Sequence, residues 1–273
     1  MNIQKIKIIL FNIVLMLLSF VTVVPFVWML ISSFAPNSEI VKIGGSLFPT
    51  PSTFSNYVNI QERFNFLGMF RNSLVIATTI TAITIYTSAL VGFVFAKFQF
   101  RGRNFLFGMV LSSMMLPWAV TIIPKYEMMV NFGWLDSYKA LIIPSAISAF
   151  GIFMFRQSIS QISDEMLEAA RVDGATDVFI FHKIILPMSR NTIASLAIFQ
   201  FLWSWEDFLW PFLMINDSAK QLISVGLKLF NGQYGTDYGG LFAATSLSIV
   251  PVIIVYIIFQ KQFIAGIASG SGK

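Results

Sequence analysis

Residues 168–187 read Glu-Ala-Ala-Arg-Val-Asp-Gly-Ala-Thr-Asp-Val-Phe-Ile-Phe-His-Lys-Ile-Ile-Leu-Pro, from Glu168 to Pro187. This is the most polar run in an otherwise apolar chain, and long hydrophobic segments flank it on both sides. Ser163 is placed to cap a helix by accepting a backbone hydrogen bond. Asp164 and Glu165 follow in the first turn, where negative charge suits the helix dipole. Met166 to Val172 is built of good helix formers. Gly174 is a natural stop, because glycine adopts the left-handed conformation without a Cβ penalty. Thr176 or Asp177 can start a second helix, and Pro187 marks the approach to the next apolar segment. The stretch therefore predicts helix, glycine turn, helix. Ala169 and Ala170 leave a low face that another protein can approach closely, with Glu168, Arg171 and Asp173 around it. Two readings stand on residue physics alone: a docking surface, or a solvated amphipathic hairpin lying on a membrane.

The rest of the chain supplies the membrane. Of 273 residues, 56% are hydrophobic and 11% charged, and the mean hydropathy is +0.75. A soluble domain carries about 25% charged residues, so this chain has too few to cover a water-facing surface. Cysteine is absent, which excludes disulfides, thiolate metal sites and cysteine nucleophiles. The single His182 leaves little material for a zinc or haem site. The net charge of +5 is explained by basic loops held on one side of a bilayer and implies no nucleic-acid partner.

About 20 apolar residues cross a bilayer core, and six segments qualify as expected spans. The first runs from Ile8 to about Phe34, after Lys5 and Lys7; it is too long for a cleaved signal peptide. A polar, turn-rich stretch from Ala35 to Leu67 contains Gly44-Gly45, Pro49 and Pro51. Its Tyr57, Phe64 and Phe66 suit a membrane–water interface. The second span is expected from Gly68 to Ala96, and the third from Phe105 to Ile123 with Pro117 inside it. An outer loop follows from Pro124 to Lys139. The fourth span, Ala140 to Phe155, is short and interrupted by Pro144 and Gly151. The fifth covers Ile193 to Ile215. After an outer loop from Asn216 to Gly239, the sixth covers Gly240 to Phe259. The proposed inner segments carry eleven of the 18 Lys and Arg residues and the outer ones seven, which favours both termini in the cytoplasm. The expectation is one transmembrane domain over residues 1–273, with the polar loop at about 160–190.

The spacing around Glu168 adds a resemblance. Glu-Ala-Ala, then Gly174 after three residues, then Ile184 and Leu186-Pro187, matches the EAA signature of permease subunits of bacterial ABC importers. The variant EAARVDGA with I-x-L-P resembles the carbohydrate-uptake branch, in particular the six-span inner permease of maltose-type systems. Leu47-Phe48-Pro49 with Asn56-Tyr57, Leu116-Pro117 and Gly133-Trp134-Leu135 are similar to other parts of that family. So is Trp205-Glu206-Asp207-Phe208-Leu209-Trp210-Pro211, except that Glu206 stands where asparagine is usual. Asn191 replaces a common proline, and the tail GIASGSGK departs from the family's ending. The resemblance implies an all-α, type I ABC importer permease fold with six transmembrane helices. It implies that Glu168, Ala169, Ala170, Asp173, Gly174, Leu186 and Pro187 couple to an ATPase. The implied partners are a second, non-identical permease, two ATPase subunits, an extracytoplasmic solute-binding protein, a carbohydrate and membrane lipid. ATP and magnesium belong to the ATPase, so no cofactor is expected in this chain, and no enzymatic activity. The implied location is the bacterial cytoplasmic membrane.

Two further stretches are candidate sites. Glu206 and Asp207 fall in an apolar span beside Trp203, Trp205 and Trp210. Acids at membrane depth are costly and point to function, and aromatic rings beside carboxylates suit a sugar. The alternative is that these acids pair with a partner subunit or line a watery cavity. The outer loop residues Asn231, Gln233, Tyr234, Asp237 and Tyr238 are candidates for contact with the solute-binding protein, or form a plain connector. His182 is expected as a solvated loop histidine. Other function classes remain: an ion-coupled secondary transporter using Glu206 and Asp207, or an importer for a non-sugar solute such as a glycerophosphodiester. A membrane enzyme finds no catalytic cluster here.

Overall fold

The computed structural model describes residues 3–42, 53–232 and 235–270. They are overwhelmingly helical, and their contacts group into two compact units.

The first unit falls within Met1–Leu67 and Gly226–Val250. It holds α1 (Ile3–Ser32), α2 (Asn37–Ile40) and α3 (Ser55–Phe64). The membrane-length window of α1 is unburied by the rest of the chain. Asn56 organises the turn after α1: its Nδ2 donates to the carbonyls of Ser33 and Ala35, both at 2.8 Å. Tyr57, expected at a membrane interface, is half-buried and tied to the Ser33 hydroxyl at 2.6 Å. Phe66, expected at the same interface, is buried. Gly44, Gly45, Pro49 and Pro51 lie outside the described residues.

The second unit falls within Gly68–Val225 and Pro251–Lys273. The predicted second span appears as α4 (Phe66–Lys97). The predicted third span is corrected. Instead of one helix through Pro117, α5 (Arg103–Ser113) and α6 (Trp118–Asn131) meet at a bend of 99°. Pro117 is extended at φ −59°, ψ 132° as the residue before α6. Its ring disfavours helix at the residue before it, and it brings no N–H to continue one. Much of the expected outer loop from Pro124 is therefore the helix α6.

The fourth span is α7 (Lys139–Ser145) and α8 (Ala149–Ile159), with its break after Pro144 and before Gly151. Two threonines of α4 satisfy the carbonyls this break frees: Thr84 donates to Ser145 at 2.8 Å and Thr87 to Ala146 at 2.5 Å. Ser148 caps α8 by accepting from the Gly151 N–H at 3.1 Å. Gly151 itself does not interrupt the helix. It permits contact, since a Cβ there would collide with Ser88 and lie 2.9 Å from a Leu196 methyl. Likewise, a Cβ on Gly92 would lie 2.6 Å from the Phe155 Cβ. Small residues at such crossings let membrane helices pack backbone to backbone.

The polar loop forms α9 (Asp164–Val172) and α10 (Asp177–Ile180), followed by a π-turn (Phe181–Ile185) and α11 (Leu186–Met188). The fifth span is also broken, into α12 (Arg190–Glu206) and α13 (Leu209–Met214). After α14 (Ile223–Gly226) the chain enters a short 3₁₀ turn of the first unit. The two-residue strands β1 (Asn231–Gly232) and β2 (Gly235–Thr236) then pair antiparallel. The last helix, α15 (Tyr238–Gly270), is longer than the expected sixth span. Among the described residues, four helical segments are long and apolar enough to cross a membrane, and the bent α5–α6 pair makes a fifth. At 17 residues, α12 alone is just short of a span.

Candidate functional site: a helix–turn–helix loop and a broken span

The polar loop folds as its residues predict. The Ser163 hydroxyl accepts from the Met166 N–H at 3.4 Å, and Asp164 and Glu165 occupy the first turn of α9. Gly174 closes the helix at φ +87°, and the Ala175 N–H reaches back to the Ala170 carbonyl at 2.9 Å. Of the two candidates for starting α10, Thr176 is its cap, accepting from Phe179 N–H at 3.3 Å. Arg171 does not simply ring the face with charge. Its Nε and Nη2 donate to Asp177 Oδ1 at 3.2 and 3.0 Å, bridging α9 and α10 across the glycine turn.

The loop rests on a buried cluster in which Leu167, Ile180, Phe181 and Ile185 meet Ala89 and Phe93 of α4, Phe155 and Ile159 of α8, and Leu196 of α12. Ala170 and Leu186 face this cluster, so they belong to the base of the loop. Glu168, Ala169, Asp173, Gly174 and Pro187 are exposed. Composition did not single out the apolar side chains beside them. Val172 is 87% exposed, Val178 69%, Phe179 52% and Met166 43%. These exposed apolar groups lie on either side of the Gly174 turn.

Lys97, at the end of α4, fixes the start of α9. Its nearly buried ammonium donates to Asp164 at 2.7 Å and also to the Ile162 carbonyl. The hydrogen bond and charge of Lys97 hold the Asp164 carboxyl below the usual carboxylate range.

The second candidate site lies at the break in span five. A cavity of about 120 Å³ opens there between Ser145, Gln200, Trp203, Ser204, Asp207 and Trp210, with apolar walls from Ile76, Ile80 and Leu141. It thus lies beside both helix breaks, after Ser145 and at Asp207. Non-helical backbone at membrane depth is tolerated where it is buried in protein or lines a cavity. Asp207 ends α12, and its Oδ1 faces the Trp210 N–H at 3.4 Å. Its carbonyl accepts from the Ser224 hydroxyl at 2.7 Å. Trp210 is buried and donates its indole N–H to Ala140 at 3.0 Å. Trp203 is half-exposed and stacks on Phe199 at 5.8 Å.

The five residues singled out in the sequence therefore divide. Trp203, Asp207 and Trp210 share the cavity. Trp205 is buried between Phe70 and Phe201, at 5.6 and 5.7 Å between ring centroids. Glu206 is exposed and does not line the cavity. Gln200 and Ser204, joined at 3.2 Å, were missed. Their polar character in an apolar helix, one turn apart, was the available signal.

Of the outer-loop candidates, Gln233 and Tyr234 lie outside the described residues. Asn231 begins β1. Asp237 accepts from the Gly240 N–H at 3.1 Å, and the Tyr238 N–H donates to Asn37 at 2.8 Å. These contacts fix the start of α15 within the first unit.

Comparison with known proteins bears on this arrangement. Residues 88–269 match the family described as binding-protein-dependent transport system inner membrane component. The arabinooligosaccharides transport system permease protein AraQ of Halalkalibacterium halodurans is 34% identical over 259 residues, covering 94% of this chain and 93% of that protein. The lactose transport system permease protein LacG of Rhizobium radiobacter is 31% identical over 253 residues, covering 93% and 92%. A crystal structure of a bacterial ABC transporter for import of the acidic polysaccharide alginate contains a chain similar in fold. Its TM-score is 0.85 at 22% identity, covering 96% of this chain and 98% of that one. The chain is an all-α, multi-pass membrane protein with the ABC importer permease fold, and it belongs to the binding-protein-dependent transport system inner membrane component family.

Proposed function

We propose that this chain is the permease subunit of an ATP-driven importer that carries a carbohydrate, an oligosaccharide or related sugar, across the bacterial cytoplasmic membrane. The observation that carries the reading is the exposed apolar tip of Val172, Val178 and Phe179 on a capped, core-anchored helix–turn–helix. Such a surface suits a cleft in an ATPase subunit, with Glu168 and Asp173 as its polar rim. The sugar assignment is supported by the names of AraQ and LacG, and by the Trp203, Gln200, Ser204 and Asp207 lining of the cavity.

In this reading a second, non-identical permease completes the path, and α12 with α13 counts as one crossing to make six. Both termini and the Glu168–Pro187 loop lie in the cytoplasm. Two ATPase subunits bind ATP and magnesium; this chain binds neither and does no covalent chemistry. A solute-binding protein delivers the sugar from outside, with Asn231, Gln233, Tyr234, Asp237 and Tyr238 near its contact. ATP binding draws the loops together and shifts the population between inward- and outward-facing states, because the closed ATPase pair prefers one of them.

The test is purification of the tagged chain from its native membranes in mild detergent, with mass spectrometry of what accompanies it. The expected result is a second permease and an ATPase, with the ATPase lost on Gly174→Pro. A chain that purifies alone, under conditions that preserve other membrane complexes, overturns the reading.

A further inference from the structure

His182 is exposed, as expected of a loop histidine, and it also has a partner at each ring nitrogen. Its Nδ1 lies 2.8 Å from the Val178 carbonyl oxygen. A carbonyl only accepts, so Nδ1 carries the proton. In the neutral ring Nε2 is then an acceptor, and the Tyr86 hydroxyl of α4 lies 3.3 Å from it. Tyr86 also packs edge-on against Phe181 at 5.8 Å, and Phe181 in turn packs on Phe93 at 5.7 Å. Phe181 is buried, while Tyr86 and His182 remain exposed.

The local backbone is unusual as well. His182 sits in the π-turn Phe181–Ile185. A π-turn adds one residue to the helix, and π-turns occur frequently at functional sites. One added residue rotates the helix on its N-terminal side by about 100° relative to the helix on its C-terminal side. The turn therefore sets the rotation of α10, and with it the Val178–Phe179 surface, relative to α11. Val178 is both part of the exposed tip and the residue whose carbonyl His182 holds.

We propose that Tyr86 and His182, presented by the π-turn, are the positioning pair that transmits movement of the Val178–Phe179 tip to α4. The inference rests on the importer reading above. Displacement of α10 moves the Val178 carbonyl, the imidazole held to it, and the α4 hydroxyl held to the imidazole. The hydrophobic cluster anchors the loop, whereas the Tyr86–His182 bond gives α4 a directional link to α10.

The absence of cysteine in this chain provides a direct assay. Leu90 lies one helical turn beyond Tyr86 on α4 and is 40% exposed. Leu90→Cys, labelled with an environment-sensitive fluorophore in the co-purified complex in nanodiscs, reports movement of α4 when Mg-ATP is added. ATP hydrolysis is measured on the same samples. Tyr86→Phe removes one oxygen atom and is expected to cut the fluorescence response about three- to tenfold, the factor that one hydrogen bond contributes, with the complex intact. His182→Ala is expected to match it, the double variant to be no worse than either single variant, and His182→Gln to recover part of the response. A full response in Tyr86→Phe, or losses that add in the double variant, overturns the proposal. Should His182→Ala fail to assemble, Tyr86→Phe decides alone. If the unaltered chain brings no ATPase with it, or gives no response to Mg-ATP, the importer reading fails and the joint falls with it.

Discussion

Lys97 and Asp164 form an ion pair of 2.7 Å that joins the last residue of a membrane helix to the first residue of α9. The lysine side chain is 4% exposed and the aspartate side chain 75%, so one partner is buried and the other faces water. Lys97 also donates to the Ile162 carbonyl. Removing it leaves a backbone acceptor and a carboxylate unpaired together. Lys97→Met is therefore expected to lower hydrogen-exchange protection across residues 162–172 more than Asp164→Asn does, while α4 keeps its own protection. Equal effects of the two substitutions would show that the Ile162 bond contributes nothing.

The same pair predicts a pH dependence. The Asp164 carboxyl is held below its ordinary value by the Lys97 hydrogen bond first and the Lys97 charge second. A depressed carboxylate stabilises the fold above its unfolded pKa, and that contribution is lost as pH falls through the folded value. Protection of α9 is thus expected to be flat from pH 7 to about 5 and to decline only in the acid range below about 4. Hydrogen exchange corrected for intrinsic rates checks this. A decline already between pH 7 and 6 would assign the anchor to another group.

Gly174 has φ +87° with open space where a Cβ would stand. Gly174→Ala is therefore strained by backbone alone, at about 1–2 kcal/mol, without a clash. It is expected to weaken ATPase co-purification modestly. Gly174→Pro cannot take a positive φ at all and is expected to abolish transport while membrane insertion persists. Glu168→Lys, which reverses an exposed charge without touching the backbone, is expected to uncouple transport as well. Wild-type transport in Gly174→Pro or Glu168→Lys would refute the coupling role of the loop.

Gly151 offers the opposite case. Its φ is ordinary, but a Cβ there overlaps Ser88 and the Leu196 side chain. Gly151→Val is expected to cost about 1–3 kcal/mol through overpacking, read as a lower thermal midpoint in detergent. Ser88→Gly combined with Gly151→Ala is expected to recover stability relative to Gly151→Ala alone. No recovery would place the clash at Leu196.

Trp203 lines the cavity and Trp205 is packed in the core, so the two test the proposed substrate path separately from packing. Trp205→Ala is expected to lower stability, since its ring is buried against Phe70 and Phe201. Trp203→Ala is expected to leave stability nearly unchanged and to raise the KM for sugar uptake. Similar KM values for Trp203→Ala and the unaltered importer would remove the cavity from the substrate path.

Composition and local chemistry determined a good deal by themselves. The scarcity of charge required a membrane, and apolar lengths located α1, α4 and α15. Ser163, Gly174 and Thr176 set the ends of α9 and α10, because caps and left-handed turns depend on residues within one helical turn of each other. Three-dimensional packing decided the rest. Pro117 was read as a proline tolerated within one continuous span, and only the structure shows the 99° break between α5 and α6. Thr84 and Thr87 rescue carbonyls some 60 residues away, a pairing that no local pattern encodes. Trp203 and Trp205 are the same residue type two positions apart. Helical periodicity turns one toward the cavity and the other into the core, and the depth of each depends on the helices that pack beside them. His182 looked like a loop residue until α4 brought Tyr86 within hydrogen-bonding distance. Local interactions are legible in sequence because their partners are neighbours; burial and long-range hydrogen bonds depend on which surfaces the whole fold brings together.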